Sequence, residues 1–252
     1  MKCCIKKAIK AYKANGIDDN YPQGYGIRLD SGDLTYLSIK AREILDEAGL
    51  KNCKIFATNA LDEYLISELE RQGCKVDSYG VGDAIATSKH NPCFGNVYKL
   101  VQVDDMPVLK RSEESSKLIN PGFQITYRII QNNKFKCDVT CLRGDSLSKA
   151  IENCETITLR DENDRLRSST FLAGKYSYRA LQQQIMKDGE ICYNDNTIQE
   201  KRNYYLDNLS HLDDSEKRLI NPHYYKIDIS DDLYNLKYRL INNIIKEIEE
   251  FE

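Results

Sequence analysis

Gly26-Ile-Arg-Leu-Asp-Ser-Gly-Asp-Leu34 decides the fold. It reads as a strand closing on Arg28 and Asp30, a Ser31-Gly32 turn, and a helix opening at Asp33. A cation, a carboxylate and a tight turn gather where a strand hands over to a helix. In parallel α/β proteins that end of the strands is where ligands bind.

The same grammar repeats on either side. Ile5, Ala8, Ile9 and Tyr12 fall at helical spacing before Asn15-Gly16. Leu34, Leu37, Ala41, Ile44, Leu45 and Ala48 share one helical face, which Gly49 stops. Lys54–Thr58 is a second strand with Asn59 at its tip. Asp62 and Glu63 suit the positive end of the next helix, and Gly73 closes it. Cys74–Tyr79 is a third strand, leading into Gly80-Val-Gly82. Helix, strand, helix, strand, helix, strand with short connections requires parallel pairing and right-handed crossovers. Three strands cannot close a barrel of eight. This part is therefore expected to be the later portion of a barrel that starts upstream. A glycine-rich turn beside the Arg28–Asp30 strand end suggests a sugar-phosphate site.

Past about residue 95 the pattern changes. Residues 97–103 and 108–110 are strand-like. Residues 124–130 and 135–142 read as two strands joined by Gln131-Asn-Asn-Lys134. Helices are expected near 176–187 and 197–209, and a short strand at 226–229. A final helix, capped by Ser230, buries Leu233, Leu236, Leu240, Ile244 and Ile248. The expected division is a partial barrel over 1–110 and a smaller α+β region over 111–252.

Composition narrows the function classes. Of 252 residues, 41% are hydrophobic and 30% charged, the balance of a globular chain able to bury a core. The net charge of −3 gives no reason to expect nucleic acid. No apolar run approaches the roughly 20 residues of a membrane span, and the first residues lack the apolar centre of a signal peptide. The 9 cysteines include no C-x-x-C pair, and they read as reduced thiols of a cytoplasmic protein. Cys137 and Cys141 lie four apart without a nearby Cys/His pair to complete a zinc site, so no metal ligands are assigned.

Four ordered stretches carry a family resemblance: Gly26–Leu34, Thr58-Asn-Ala-Leu-Asp-Glu63, Ser78-Tyr-Gly-Val-Gly82 with Thr87-Ser88, and Gly95-Asn-Val-Tyr-Lys-Leu100. In this order and spacing the chain resembles the C-terminal half of the nicotinate phosphoribosyltransferases. Asn221-Pro-His-Tyr224 and the final helix extend the likeness over nearly the whole chain. The resemblance implies an α/β fold, a partial (β/α) barrel of the type II phosphoribosyltransferase kind followed by a smaller α+β C-terminal region. It implies transfer of ribose phosphate from phosphoribosyl pyrophosphate to nicotinate in NAD biosynthesis. ATP is the implied co-substrate, acting through a phosphorylated histidine, and Mg²⁺ accompanies the pyrophosphate. The implied protein partner is a second copy of the chain or a separate N-terminal chain.

Carried over residue by residue, substrate contacts fall on Arg28, Asp30, Ser31 and Asn59, and phosphate contacts on Gly80, Gly82, Asp83, Thr87 and Ser88. Arg28 suits a phosphate or the nicotinate carboxylate; its alternative is a structural ion pair. Asp30 suits ribose hydroxyls, or else a turn. Ser31 belongs to the turn or to the ligand, and Asn59 to the ribose or to an Asx-turn. Gly80 and Gly82 let backbone N–H groups approach a phosphate. Asp83 stands where the family usually has threonine, and Asn96 where it has glycine. Thr87 and Ser88 donate hydroxyls or cap. His90 is expected at the surface and His223 in packing, and neither they nor His211 lie in the family's histidine motif, so the catalytic residue is unknown. The chain alone is expected to turn over poorly. The rival readings are a non-catalytic nucleotide-binding module, one half of a split enzyme, another sugar-phosphate barrel enzyme, or the nicotinamide-using relative of the family.

Overall fold

A computed structural model describes residues 2–93, 95–110 and 118–249. The chain divides into two compact units, Met1–Asn96 and Val97–Glu252.

The first unit runs α1 (Lys2–Ala14), β1 (Gly26–Leu29), α2 (Leu34–Glu47), β2 (Lys54–Ala57), α3 (Glu63–Arg71), β3 (Ser78–Tyr79) and α4 (Asp83–Ala86). The three strands pair in parallel in the order β1-β2-β3, as the short crossovers require. Leu29 stands opposite Ala57, and Ala57 opposite Tyr79. Helices α2 and α3 each start on an aspartate: Asp33 Oδ1 accepts from the Tyr36 N–H and Asp62 Oδ1 from the Leu65 N–H, both at 2.9 Å. Asp62 is thus the cap before the helix, where the sequence suggested its first turn. The core joins Ile5, Leu34, Ala41, Leu45, Ile55, Ala57, Leu61 and Leu69. Ala41, Leu45, Ile55 and Ala57 are fully enclosed, as the helical and alternating patterns demand.

The third strand is shorter than the sequence suggested. Only residues 78–79 are strand, because the Asp77 carboxylate takes the place of a ladder carbonyl and accepts the Ile55 N–H at 2.8 Å. Lys54 Nζ holds that carboxylate at 3.0 Å.

The second unit begins with a hairpin, β4 (Gln102–Val103) and β5 (Met106–Pro107), shorter than the strands expected there. The Gly122 N–H reaches the Val101 carbonyl at 2.8 Å and ties this hairpin to the segment that follows. There follow β6 (Gln124–Gln131), β7 (Lys134–Leu142), α5 (Ser146–Glu152), β8 (Ile157–Asp161), β9 (Ser168–Phe171), β10 (Ser177–Ala180), β11 (Met186–Lys187), β12 (Glu190–Ile191), α6 (Ile198–His211), β13 (Ile227–Ile229) and α7 (Asp231–Glu249). Six strands form one sheet in the order β10-β6-β7-β13-β8-β9. Asn132 and Asn133 take positive φ of 54° and 57°, the hand that a two-residue hairpin turn requires.

Phe135, Cys137, Val139 and Cys141 alternate inward along β7 and are all buried. The four-residue cysteine spacing is therefore a core stripe of a strand, and burial pushes the Cys137 thiol up to about 12. The helix expected near 176–187 is not formed. Residues 177–180 pair antiparallel with β6, and Tyr178 meets Tyr127 edge-on at 5.5 Å. Pairing with β6, which gives Tyr178 an aromatic partner on the neighbouring strand, outweighs a weak helical pattern. Ser230 Oγ caps α7 by accepting the Leu233 N–H at 3.2 Å. Leu233 and Leu236 are buried, Leu240 and Ile244 are half-buried, and the Ile248 side chain lies outside the described ones. Among the described residues no helix is long and apolar enough to cross a membrane.

Candidate functional site

The strand register builds the site. In a parallel sheet, cross-strand neighbours share a face. Leu29, Ile55 and Ala57 face the core. Arg28, Phe56 and Ser78 stand in register on the opposite face, and one step on come Asp30, Thr58 and Gly80, just past the paired residues. A row of three thus crosses all three strand ends.

The row is closed by hydrogen bonds. Arg28 Nη2 donates to Asp30 Oδ1 at 2.5 Å, and Arg28 Nε donates to Thr58 Oγ1 at 2.8 Å. The Thr58 hydroxyl donates to the same Asp30 Oδ1 at 2.6 Å. The Thr58 hydroxyl and the Arg28 guanidinium together hold the Asp30 carboxyl below its usual range. Both charged side chains stay more than half exposed, 61% for Arg28 and 57% for Asp30. An ion pair this wet contributes little to stability, so its ordered geometry is not explained by holding the fold together. A pocket of about 640 Å³ opens beside it, lined by Cys4, Tyr12, Arg28, Asp30, Ser31 and Leu37.

The remaining expected contacts separate into groups. Ser31 is exposed on the pocket rim, beside Gly32 at φ +86°. Asn59 is exposed at the tip of β2 with φ +86°. The Gly80 N–H is spent on the Ala57 carbonyl at 2.8 Å, so this glycine offers room rather than a donor. A Cβ there would lie 2.8 Å from Thr58 Cγ2 and 3.2 Å from Phe56 Cε1. At Gly82 a Cβ would meet nothing within 4 Å. Among the described residues the N–H groups of Gly82, which caps α4, and of Asp83 and Ala84 in its first turn have no backbone acceptor. Thr87 Oγ1 donates to the Asp83 carbonyl at 2.7 Å, which is a helix-end bond. Ser88 is exposed with φ +47°. Thr58 was not among the residues singled out from the sequence. Its place beside Asp30 follows only from the strand register, in which Leu29 stands opposite Ala57.

His90 lies at the surface, 3.5 Å from Asp62 Oδ2 and 4.0 Å from Glu63 Oε1, edge-on to Tyr64. These three residues bring ligand-type atoms within 4.8 Å of one another. The Asp62 oxygen facing His90 already takes the Lys89 ammonium at 3.1 Å, and the Leu65 N–H and Lys89 hold that carboxyl down at about 2. A cation is thus already in place, and no metal is assigned there. His223 is exposed, in contrast to its expected packing, and lines a second-unit pocket with Arg128, Phe135 and Tyr225. It is His211 that packs, stacked on Phe135 at 5.2 Å.

Comparison with known proteins places these observations. Residues 123–237 match the family model for the nicotinate phosphoribosyltransferase C-terminal domain. A nicotinate phosphoribosyltransferase of Bacillus subtilis is 34% identical over 258 residues, covering 98% of this chain and 50% of that protein. One from Dictyostelium discoideum is 27% identical, covering 85% of this chain and 38% of that protein. A solved structure of human nicotinic acid phosphoribosyltransferase superposes with a TM-score of 0.61 at 22% identity, over 86% of this chain and 40% of that one. The chain spans half or less of the length of these relatives.

The fold is mixed α/β and matches that of the human nicotinic acid phosphoribosyltransferase structure. In sequence the chain is similar to the C-terminal portion of the nicotinate phosphoribosyltransferases.

Proposed function

We propose that this chain holds the ribose- and phosphate-facing half of a nicotinate phosphoribosyltransferase site, built on the later strands of a partial (β/α) barrel of the type II kind. The reaction joins nicotinate to the anomeric carbon of phosphoribosyl pyrophosphate, with ATP as co-substrate, in NAD biosynthesis. The carbon–oxygen bond to pyrophosphate breaks as the nicotinate ring nitrogen bonds to that carbon. Positive charge grows on the sugar and negative charge on the leaving group.

The observation that carries this reading is the Asp30–Thr58–Gly80 row with Arg28 beside it. Its hydrogen bonds use Asp30 Oδ1 and Arg28 Nε and Nη2, which leaves Asp30 Oδ2 and Arg28 Nη1 toward solvent. Asp30 Oδ2 suits the ribose hydroxyls and the charge developing on the ring. Arg28 Nη1 suits the pyrophosphate or the nicotinate carboxylate. The N–H groups of Gly82, Asp83 and Ala84 suit the 5′-phosphate, with Gly80 giving the approach room and Ser31, Asn59, Thr87 and Ser88 around the rim. Asp83 places an exposed carboxylate near that phosphate and weakens its hold. Mg²⁺ fits in a limited way: the row offers one carboxylate, Asp30, so the ion would be held chiefly by the substrate's own phosphates, where it neutralises the leaving charge.

Half the length of the relatives is present in this chain. We infer that the other half of the site, including the group that accepts phosphate from ATP, comes from sequence equivalent to the remainder of those relatives. Turnover by this chain alone is expected to be low, while phosphoribosyl pyrophosphate still binds. Calorimetry with phosphoribosyl pyrophosphate, wild type against Asp30→Asn, tests the reading: no heat of binding in the wild type rejects it. Coexpression with the N-terminal half of a relative should raise pyrophosphate release. Binding without such rescue would favour a nucleotide-binding module instead.

A further inference from the structure

We propose that Thr58 is a positioning residue, whose hydroxyl aims the Arg28–Asp30 pair and whose methyl registers that pair against the Gly80 turn. The proposal rests on the ligand reading given above.

A lone Arg–Asp pair two residues apart at a wet strand end has no reason to hold one geometry. Both side chains rotate, and water competes for every donor. Thr58 changes this because it comes from the neighbouring strand. Its backbone N–H is fixed to the Leu29 carbonyl at 2.9 Å, which sets its height beside Asp30. As a β-branched residue it has few χ1 choices. Its one hydroxyl proton goes to Asp30 Oδ1, and its lone pair accepts from Arg28 Nε. The result is a closed ring of three side chains in which every contact fixes the other two. The aspartate keeps one oxygen inside the ring and turns the other outward. The guanidinium is likewise held by two of its nitrogens.

The methyl supplies the second half of the argument. It points at the third strand, where a Cβ on Gly80 would come within 2.8 Å of it. The glycine therefore accommodates Thr58 rather than merely permitting a turn. Through this one side chain the candidate phosphate loop after β3 and the candidate ribose pair after β1 share a reference point. The two ligand-facing groups of the row would then be spaced by Thr58, without Thr58 touching the ligand.

Two variants separate the two functions. Thr58→Val keeps the branched shape and the contact with Gly80 but removes the hydroxyl. Thr58→Ser keeps the hydroxyl and removes the methyl. Thr58 is half-buried and outside the core, so both variants should fold, which circular dichroism checks. The first measurement is the titration of the Asp30 carboxyl by carbon-detected NMR on the full chain. Thr58→Val should move it upward, and Thr58→Ser should leave it in place. The second is calorimetry with phosphoribosyl pyrophosphate in magnesium buffer. Thr58→Val should bind about tenfold more weakly, the scale of a lost hydrogen bond to a charged group, and Thr58→Ser about threefold more weakly, the scale of a lost methyl contact; wild-type affinity in Thr58→Ser overturns the methyl's role. An unmoved Asp30 titration in Thr58→Val, or equal losses in both variants, overturns the proposal. A wild type that binds no phosphoribosyl pyrophosphate sinks the ligand reading, while the Asp30 titration still decides whether Thr58 positions the pair.

Discussion

Two ion pairs, one in each unit, treat charge in opposite ways. In the second unit, Arg128 donates from Nε and Nη2 to both oxygens of Asp138 at 2.8 Å, with Tyr225 adding a bond at 2.9 Å. That pair is mostly covered, with side chains 22% and 14% exposed. Lys237, 6% exposed, reaches Glu162 and Asn120. In these two clusters the charges are spent on one another. In the first unit Arg28 and Asp30 form a pair of comparable length but leave it open to water with one oxygen and one nitrogen unspent. Where an ion pair is enclosed and saturated it serves the fold. Where it is ordered, wet and unsaturated it is available to a ligand.

The largest test of this contrast is a core truncation in each unit. Ile129→Ala and Leu45→Ala each remove a fully enclosed side chain, at about 3 kcal/mol apiece. Thermal unfolding by calorimetry should show each substitution lowering the transition of its own unit, and a common shift would show that the units unfold together. Next, Asp138→Ala strands the Arg128 guanidinium and should destabilise by about 2 kcal/mol, measured by urea unfolding. Arg28→Ala should leave the urea midpoint nearly unchanged and weaken phosphoribosyl pyrophosphate binding by about tenfold or more. The reverse pattern would break the comparison.

Asp228 sharpens it through pH. Its side chain is fully covered, and although Lys226 Nζ lies 3.0 Å away, neither carboxylate oxygen accepts a well-formed hydrogen bond among the described residues. Burial raises its affinity for a proton. The folded state therefore binds the proton more tightly than the unfolded one. The second unit should lose stability as pH rises from the ordinary carboxyl range, about 4, through the raised folded value. Asp228→Asn should remove that slope and stabilise by about 1 kcal/mol at neutral pH, read from melting curves across pH. The smallest effects separate two glycines. Gly80→Ala must displace Thr58 or Phe56 and should cost about 1 kcal/mol together with ligand affinity. Gly82→Ala, with open space around it, should change stability by less than about 0.5 kcal/mol.

The first unit was the more legible from sequence, for a reason that particular residues make clear. Asp33 and Asp62 cap helices, glycines end them, and the periods of α2 and β2 mark the core, all through contacts a few residues apart. The position of Arg28 and Asp30 at a strand end followed from the same local signals. Thr58 was missed because its role exists only across strands, once Leu29 is set against Ala57. Gly80 was read as a donor site because its N–H partner, the Ala57 carbonyl, is also cross-strand. In the second unit the signals are weaker still. Residues 177–180 become a strand only because β6 is there to pair with, and β3 stops short because a side chain, Asp77, enters the ladder. His223 is exposed and His211 packed, a distinction set by Phe135 on another element.

The strand order of the large sheet also bears on the sequence of events in folding. The β6–β7 hairpin closes over the Asn132–Asn133 turn and needs only local contacts, so it can form early. β13, at residues 227–229, pairs in parallel with β7 on one side and antiparallel with β8 on the other. Until it arrives, the sheet exists as two unjoined halves, β10-β6-β7 and β8-β9. β13 is synthesised after every other strand of that sheet. During translation the inner edges of β7 and β8 are therefore unpaired, and for that interval this unit is most exposed to chaperones and to association with other nascent chains.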